Sequence, residues 1–116
     1  MTPPANYYIA MPANNAQLIL CNCPDAETAN HLAELLVAQQ LAACVNCLPQ
    51  VRSVYRWQGK VETAVEVTLL IKTTLEHYSS IEKMIAENHP NEVPEVLAIS
   101  IDNGLPAYLK WLENSV

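Results

Sequence analysis

An α+β fold, with two helices laid on one face of a four-stranded antiparallel sheet, is what the sequence predicts, on three observations. Short runs of branched apolar residues alternate along the chain with stretches whose apolar residues recur at helical spacing. In the middle, over residues 51–72, the period changes to strict alternation around Gly59. A last helical stretch then follows the final apolar run.

The elements follow in order. AQLILCNC, residues 16–23, is short, apolar and closed by Pro24, which fits a largely buried strand. Asp25 is placed to cap a helix, behind which Ala29, Leu32, Ala33, Leu36 and Val37 form one apolar face. Asp25 and Glu27 also lie at the positive end of that helix's dipole. VRSVYRWQGKVETAVEVTLLIK puts Val51, Ser53, Tyr55 and Trp57 on one side of a strand. Past a turn at Gln58-Gly59, Val61, Val65, Val67, Leu69 and Ile71 share one side of the return strand. Arms of about ten residues or more reach about 30 Å, long beside a domain whose radius of gyration is about 13 Å. The hairpin is therefore expected to project beyond its own core.

Thr73 and Glu76 have capping-box spacing, and Leu75, Tyr78, Ile81 and Ile85 form a helical stripe that Pro90 stops. EVLAISID reads as another strand. LPAYLKWLENS reads as a short helix with Pro106 in its first turn, offering Leu105, Tyr108, Leu109 and Leu112 to a neighbour. Strand-helix-strand-strand-helix-strand is the split βαβ, ferredoxin-like order, here with a long protruding hairpin and a C-terminal helix. One sheet face and the hairpin are left needing a cover, which points to self-association.

The 116 residues make one domain, expected over 15–116 behind a flexible polar leader at 1–14. A formal charge of -6, with six Lys+Arg spread singly, argues against a nucleic-acid partner. No apolar run approaches the roughly 20 residues that cross a bilayer, so no membrane partner is expected. The amino-terminal stretch does not read as a signal peptide, and a cytoplasmic location is expected. Two glycines, Gly59 and Gly104, rule out a glycine-rich phosphate loop.

His89 draws attention among the polar residues. It stands at a helix end, where free carbonyls favour an imidazolium cap, but imidazole is also a common metal ligand. Glu92 and Glu95 lie close by, in a segment stiffened by Pro90 and Pro94. A soft ligand such as Cys21 brought near it would favour copper or zinc over magnesium or calcium. Cys21-x-Cys23 and Cys44-x-x-Cys47 invite a four-thiolate zinc site, but on strands and without turn glycines they lack its setting. Cys23, Cys44 and Cys47 therefore read as buried small hydrophobes. Tyr55 and Trp57 read as sheet-covering or interface residues, and Lys72 as a surface lysine whose charge reaches toward His89 and Glu92. No nucleophile and base stand together in the pattern, so no enzyme is expected.

Five segments, LAACVN, SVYRWQGKVE, LLIKT, NHPNEVPEVLAI and YLKWL, follow one another as in the divalent-cation tolerance (CutA) family, which the chain resembles from about Ala16 to about Asn114. The resemblance implies a ferredoxin-like homotrimer with intertwined hairpins, similar in architecture to the PII signalling proteins and assigned to copper and divalent-metal tolerance. It implies metal ligands at Cys21, closing LILC, and at His89 in NHP, to which the nearby Glu92 is added here as an expected ligand. It also implies an inter-subunit cleft at Trp57, Lys72, Glu92 and Pro94, and Tyr55, Trp57, Val65 and Trp111 are expected at the interface between subunits. Asn88 stands where some members carry a second histidine, and Asn91 where an aromatic residue is common. The implied ligand is copper or another divalent metal ion, with no organic cofactor. The alternative is a PII-like regulator that binds a small ligand or partner in the cleft.

Overall fold

A computed structural model of the protein describes residues 14–116. The leader expected over 1–14 lies outside them except for Asn14. Seven main elements follow: β1 (Ala16–Cys23), α1 (Ala26–Ala38), β2 (Cys44–Trp57), β3 (Lys60–Thr74), α2 (Tyr78–Asn88), β4 (Val96–Ser100) and α3 (Pro106–Asn114). The sheet runs β2-β3-β1-β4 with every neighbouring pair antiparallel, the ferredoxin-like arrangement.

β1 lies inside the sheet, so both its edges are paired and its alternate residues face opposite ways. Ile19, Cys21 and Cys23 fall on one face, opposite Ile71, Leu69 and Val67 of β3. Leu32 and Leu36 of α1 and Ile81 and Ile85 of α2 join them in a single buried cluster. Each such aliphatic side chain contributes about 1.5–3 kcal/mol of burial. Asp25 caps α1 as expected, its extended backbone letting the carboxylate accept the Thr28 N–H at 2.8 Å.

The capping box expected at Thr73 and Glu76 does not form. Thr73 and Thr74 already pair with Gln17 and Ala16 in the β1–β3 ladder, and that pairing holds them in the strand. The Thr73 hydroxyl is fully buried and donates instead to the Leu41 carbonyl at 2.6 Å, pinning the end of the α1–β2 connection. A 3-10 turn over Leu75–His77 then leads into α2 and leaves Leu75 exposed. In α3, Leu112 is the residue that is fully buried, while Leu105 and Tyr108 are exposed.

The hairpin is the largest departure from compactness. β1 ends at Cys23 opposite Val67, so Lys60–Glu66 pair with β2 alone. Gln58 (φ 50°) and Gly59 (φ 79°) are both left-handed, the conformation a two-residue hairpin turn needs to match strand twist. At the base, an irregularity between Leu48 and Val51 places Gln50 at φ 57° and shifts the register. Beyond it, Tyr55 and Trp57 stand opposite Glu62 and Lys60, whereas Arg52 and Arg56 stand opposite Val65 and Val61. Apolar side chains thus leave both faces of the ribbon: Val54, Tyr55, Trp57, Val61 and Val65 are all exposed, Val61 by 69% and Val65 by 64%. A two-stranded ribbon with no covered face is marginal in water.

Candidate metal centre

The site is assembled where β1 ends. Residues two apart on a strand share a face, so Cys21 and Cys23 both point into the core and both are fully buried. Asn22, between them, points the other way, where its side-chain oxygen accepts the Thr68 hydroxyl at 2.6 Å.

His89 arrives from the opposite end of the sequence. Its backbone N–H makes the last bond of α2, to the Ile85 carbonyl at 2.8 Å. Its own backbone is then extended (φ -95°, ψ 136°), the conformation favoured before Pro90. This turn brings the ring to β1, where only 8% of the residue stays exposed. Nε2 lies 2.7 Å from the Asn22 carbonyl oxygen, and the Asn91 N–H donates to Nδ1 at 3.0 Å. An amide N–H can only donate, so Nδ1 presents its lone pair and Nε2 carries the hydrogen. The imidazole is neutral and both nitrogens are used. Cys21 Sγ lies 3.9 Å from the same Asn22 carbonyl.

One ligand atom each from Cys21, Cys23 and His89 lies within 4.8 Å of the other two, and all three residues are buried. Three points no more than 4.8 Å apart share a centre no further than about 2.8 Å from each, and zinc, for comparison, takes sulfur at about 2.3 Å and nitrogen at about 2.0–2.1 Å. A contraction of at most about 0.5 Å per sulfur and about 0.8 Å for the nitrogen closes the set. Two thiols and an imidazole are the ligands that soft and borderline transition ions prefer.

The two thiols share their protons unequally. The hydrogen bond with Cys23, then burial and neighbouring negative charge, push the Cys21 thiol far above its ordinary value. The same bond draws the Cys23 thiol down, against burial and the charges of Asp25 and Glu66. An ion that takes both sulfurs must displace both protons.

Of the residues singled out in the sequence, Cys21 and His89 meet. Cys23, read as a buried small hydrophobe, is buried and is also the third member of this group. Its spacing from Cys21 on a strand was the available signal. Glu92 is exposed and outside the group, and Pro94 is half-buried on the same corner. Asn88 turns back along its helix, its Nδ2 donating to the Met84 carbonyl at 2.8 Å. Cys44 pairs with Lys72 and Cys47 with Leu69, so three residues of pleat put them on opposite faces and no four-thiolate set is gathered.

Lys72 does not face His89 and Glu92. It is opposite Leu18, four residues along β1 from Asn22, on the sheet face away from Cys21, and its Nζ donates to Asn46 Oδ1. Trp57 pairs with Lys60, twelve residues along β3 from Lys72, about 40 Å at the usual strand rise. Within one chain these two residues do not line a common cleft.

The family model described as CutA1 divalent ion tolerance protein matches residues 17–115. The Divalent-cation tolerance protein CutA of Citrobacter koseri is 39% identical over 101 residues, covering 87% of this chain and 88% of that protein. The crystal structure of CutA from Xylella fastidiosa superposes with a TM-score of 0.85 at 41% identity, covering 88% of this chain and 98% of that one. A further structure, described as the periplasmic divalent cation tolerance protein CutA of Archaeoglobus fulgidus, gives 0.84 at 32% identity, with coverages of 86% and 97%.

Proposed function

The chain belongs to the CutA1 divalent ion tolerance family, and from that premise we propose that it is a non-enzymatic, homotrimeric protein that takes up copper or a similar divalent cation through Cys21 and His89. The observation that carries the reading is the meeting of these two side chains at one backbone carbonyl, with their ligand atoms inside 4.8 Å. When bound, the ion would draw its affinity from a thiolate and an imidazole in a buried place where water competes poorly. Cys21 would give up its proton and His89 one of its two hydrogen bonds. Glu92, exposed on the same corner, is an outer ligand in this reading.

Trimer formation rests on the ribbon, whose Tyr55, Trp57 and Val65 need a sister chain to cover them, with the exposed Trp111 of α3 adding to the same contact. A second reading, a PII-like regulator, draws on the separation of Trp57 from Lys72 within one chain. Trp57, Lys72, Glu92 and Pro94 line a ligand cleft only if different subunits supply them. A cytoplasmic location belongs to this reading. No helix among the described residues is long and apolar enough to cross a membrane.

Calorimetric titration of copper into the protein and into Cys21→Ser and His89→Ala tests the cation reading. It requires a loss of affinity in both variants. Equal affinity in all three proteins sinks it and leaves the regulator.

A further inference from the structure

We infer that Cys23 is the third protein ligand of this site, and that the ion the complete site prefers is a thiophilic divalent cation of the zinc and cadmium type. The inference rests on the cation reading above and adds to it a ligand and a class of ion.

The pleat of β1 carries the first half. Any ion that reaches Cys21 from the core side of the strand meets the side chain two residues on, because both point the same way. Cys23 has no exposed surface, and its sulfur is within 4.8 Å of the donor atoms of both Cys21 and His89. A buried cysteine elsewhere in this core passes for a small hydrophobe. This one completes a ring of two sulfurs and one nitrogen, three of the four positions a tetrahedral ion fills. Hard cations, which need six or more oxygens, find too few donors and the wrong ones.

Charge carries the second half. On loading, each thiol gives its proton to solvent and its sulfur a bond to the ion, while the ring nitrogen donates a neutral lone pair. Two thiolates bring two negative charges into a buried place. A divalent cation cancels both, and a monovalent one leaves one over. A surplus charge left among buried donors is costly, which favours the divalent ion.

Cadmium is the probe, since it undergoes no redox change and its thiolate bonds absorb in the ultraviolet. The reduced full chain is titrated beside Cys23→Val, which keeps an apolar side chain in the buried position, with thermal melts to confirm that both are folded. The parent chain is expected to take one cadmium with a two-thiolate charge-transfer band that a large excess of magnesium leaves unchanged. Cys23→Val is expected to show about half that band and an affinity lower by about a hundredfold. Silver is expected to block one thiol fewer per ion than cadmium does. A full band and unchanged affinity in Cys23→Val overturn the role of Cys23 while leaving Cys21 and His89 in place. Silver blocking as many thiols as cadmium overturns the charge argument. No cadmium uptake by the parent chain overturns the cation reading itself.

Discussion

The Nε2 of His89 stands 2.7 Å from the backbone carbonyl oxygen of Asn22, a residue 67 positions earlier in the chain. This contact fastens the corner after α2 to the end of β1, and it needs no ion to do so. Because the Asn91 N–H holds the other nitrogen, the ring is a two-ended strut between the sheet and its own loop. His89→Ala removes both bonds and leaves the Asn22 carbonyl without its partner. A loss of about 1–3 kcal/mol is expected, read as a lower urea midpoint in the absence of added metal.

The same strut predicts a response to loading. Whichever ring nitrogen takes an ion, one of the two hydrogen bonds is given up. Amide exchange or amide chemical shifts at Asn91 and along 89–96 are expected to change when the protein is loaded, while those of α1 beyond its first turn stay put. An unchanged corner would mean that the ion binds without the ring.

The hairpin predicts its own partner. Val61 and Val65 are largely exposed on a ribbon that no other strand among the described residues covers. Val61→Lys combined with Val65→Lys places two charges where a sister chain must pack. Sedimentation velocity at micromolar concentration is expected to show smaller species than the parent protein. The far-ultraviolet spectrum of the helices should be kept.

Acid acts through Asp25. Hydrogen bonds from Thr28, its backbone N–H first and then its hydroxyl, hold the Asp25 carboxyl below its ordinary value. A carboxyl depressed in the folded state stabilises fully above its unfolded value of about 3.9, and that contribution is lost as pH falls through the folded value. Asp25→Asn keeps a capping side chain but removes the titration. Thermal midpoints of the parent chain and the variant are therefore expected to converge as pH falls below about 3.9.

Burial separates positions that look alike in sequence. Ile85→Ala, in the fully buried cluster, is expected to cost about 2–5 kcal/mol in chemical unfolding. Val93→Ala, exposed by 76%, is expected to stay within about 0.5 kcal/mol of the parent.

Periodicity made the fold legible because strands and helices here obey their own spacing. Ile19, Cys21 and Cys23 alternate with half-exposed residues, and Leu32, Leu36, Ile81 and Ile85 fall on helical stripes. Competition between local patterns was not legible. Thr73 has the spacing of a cap, but the β1–β3 ladder claims it first, and nothing in the local sequence ranks those two demands. The irregularity at Pro49-Gln50, which sends Tyr55 and Val65 to opposite faces of the ribbon, needs the register to be seen. At the site, the shared face of Cys21 and Cys23 follows from a spacing of two. The arrival of His89 beside them is a tertiary fact that no window of sequence contains.

Anomalous diffraction from crystals of the copper-loaded protein tests the central claim most directly. The account predicts a peak in the corner beside the Asn22 carbonyl, within bonding distance of Cys21 Sγ and a ring nitrogen of His89. Peaks confined to exposed carboxylates, with the Cys21 and His89 contacts to Asn22 intact, would contradict it.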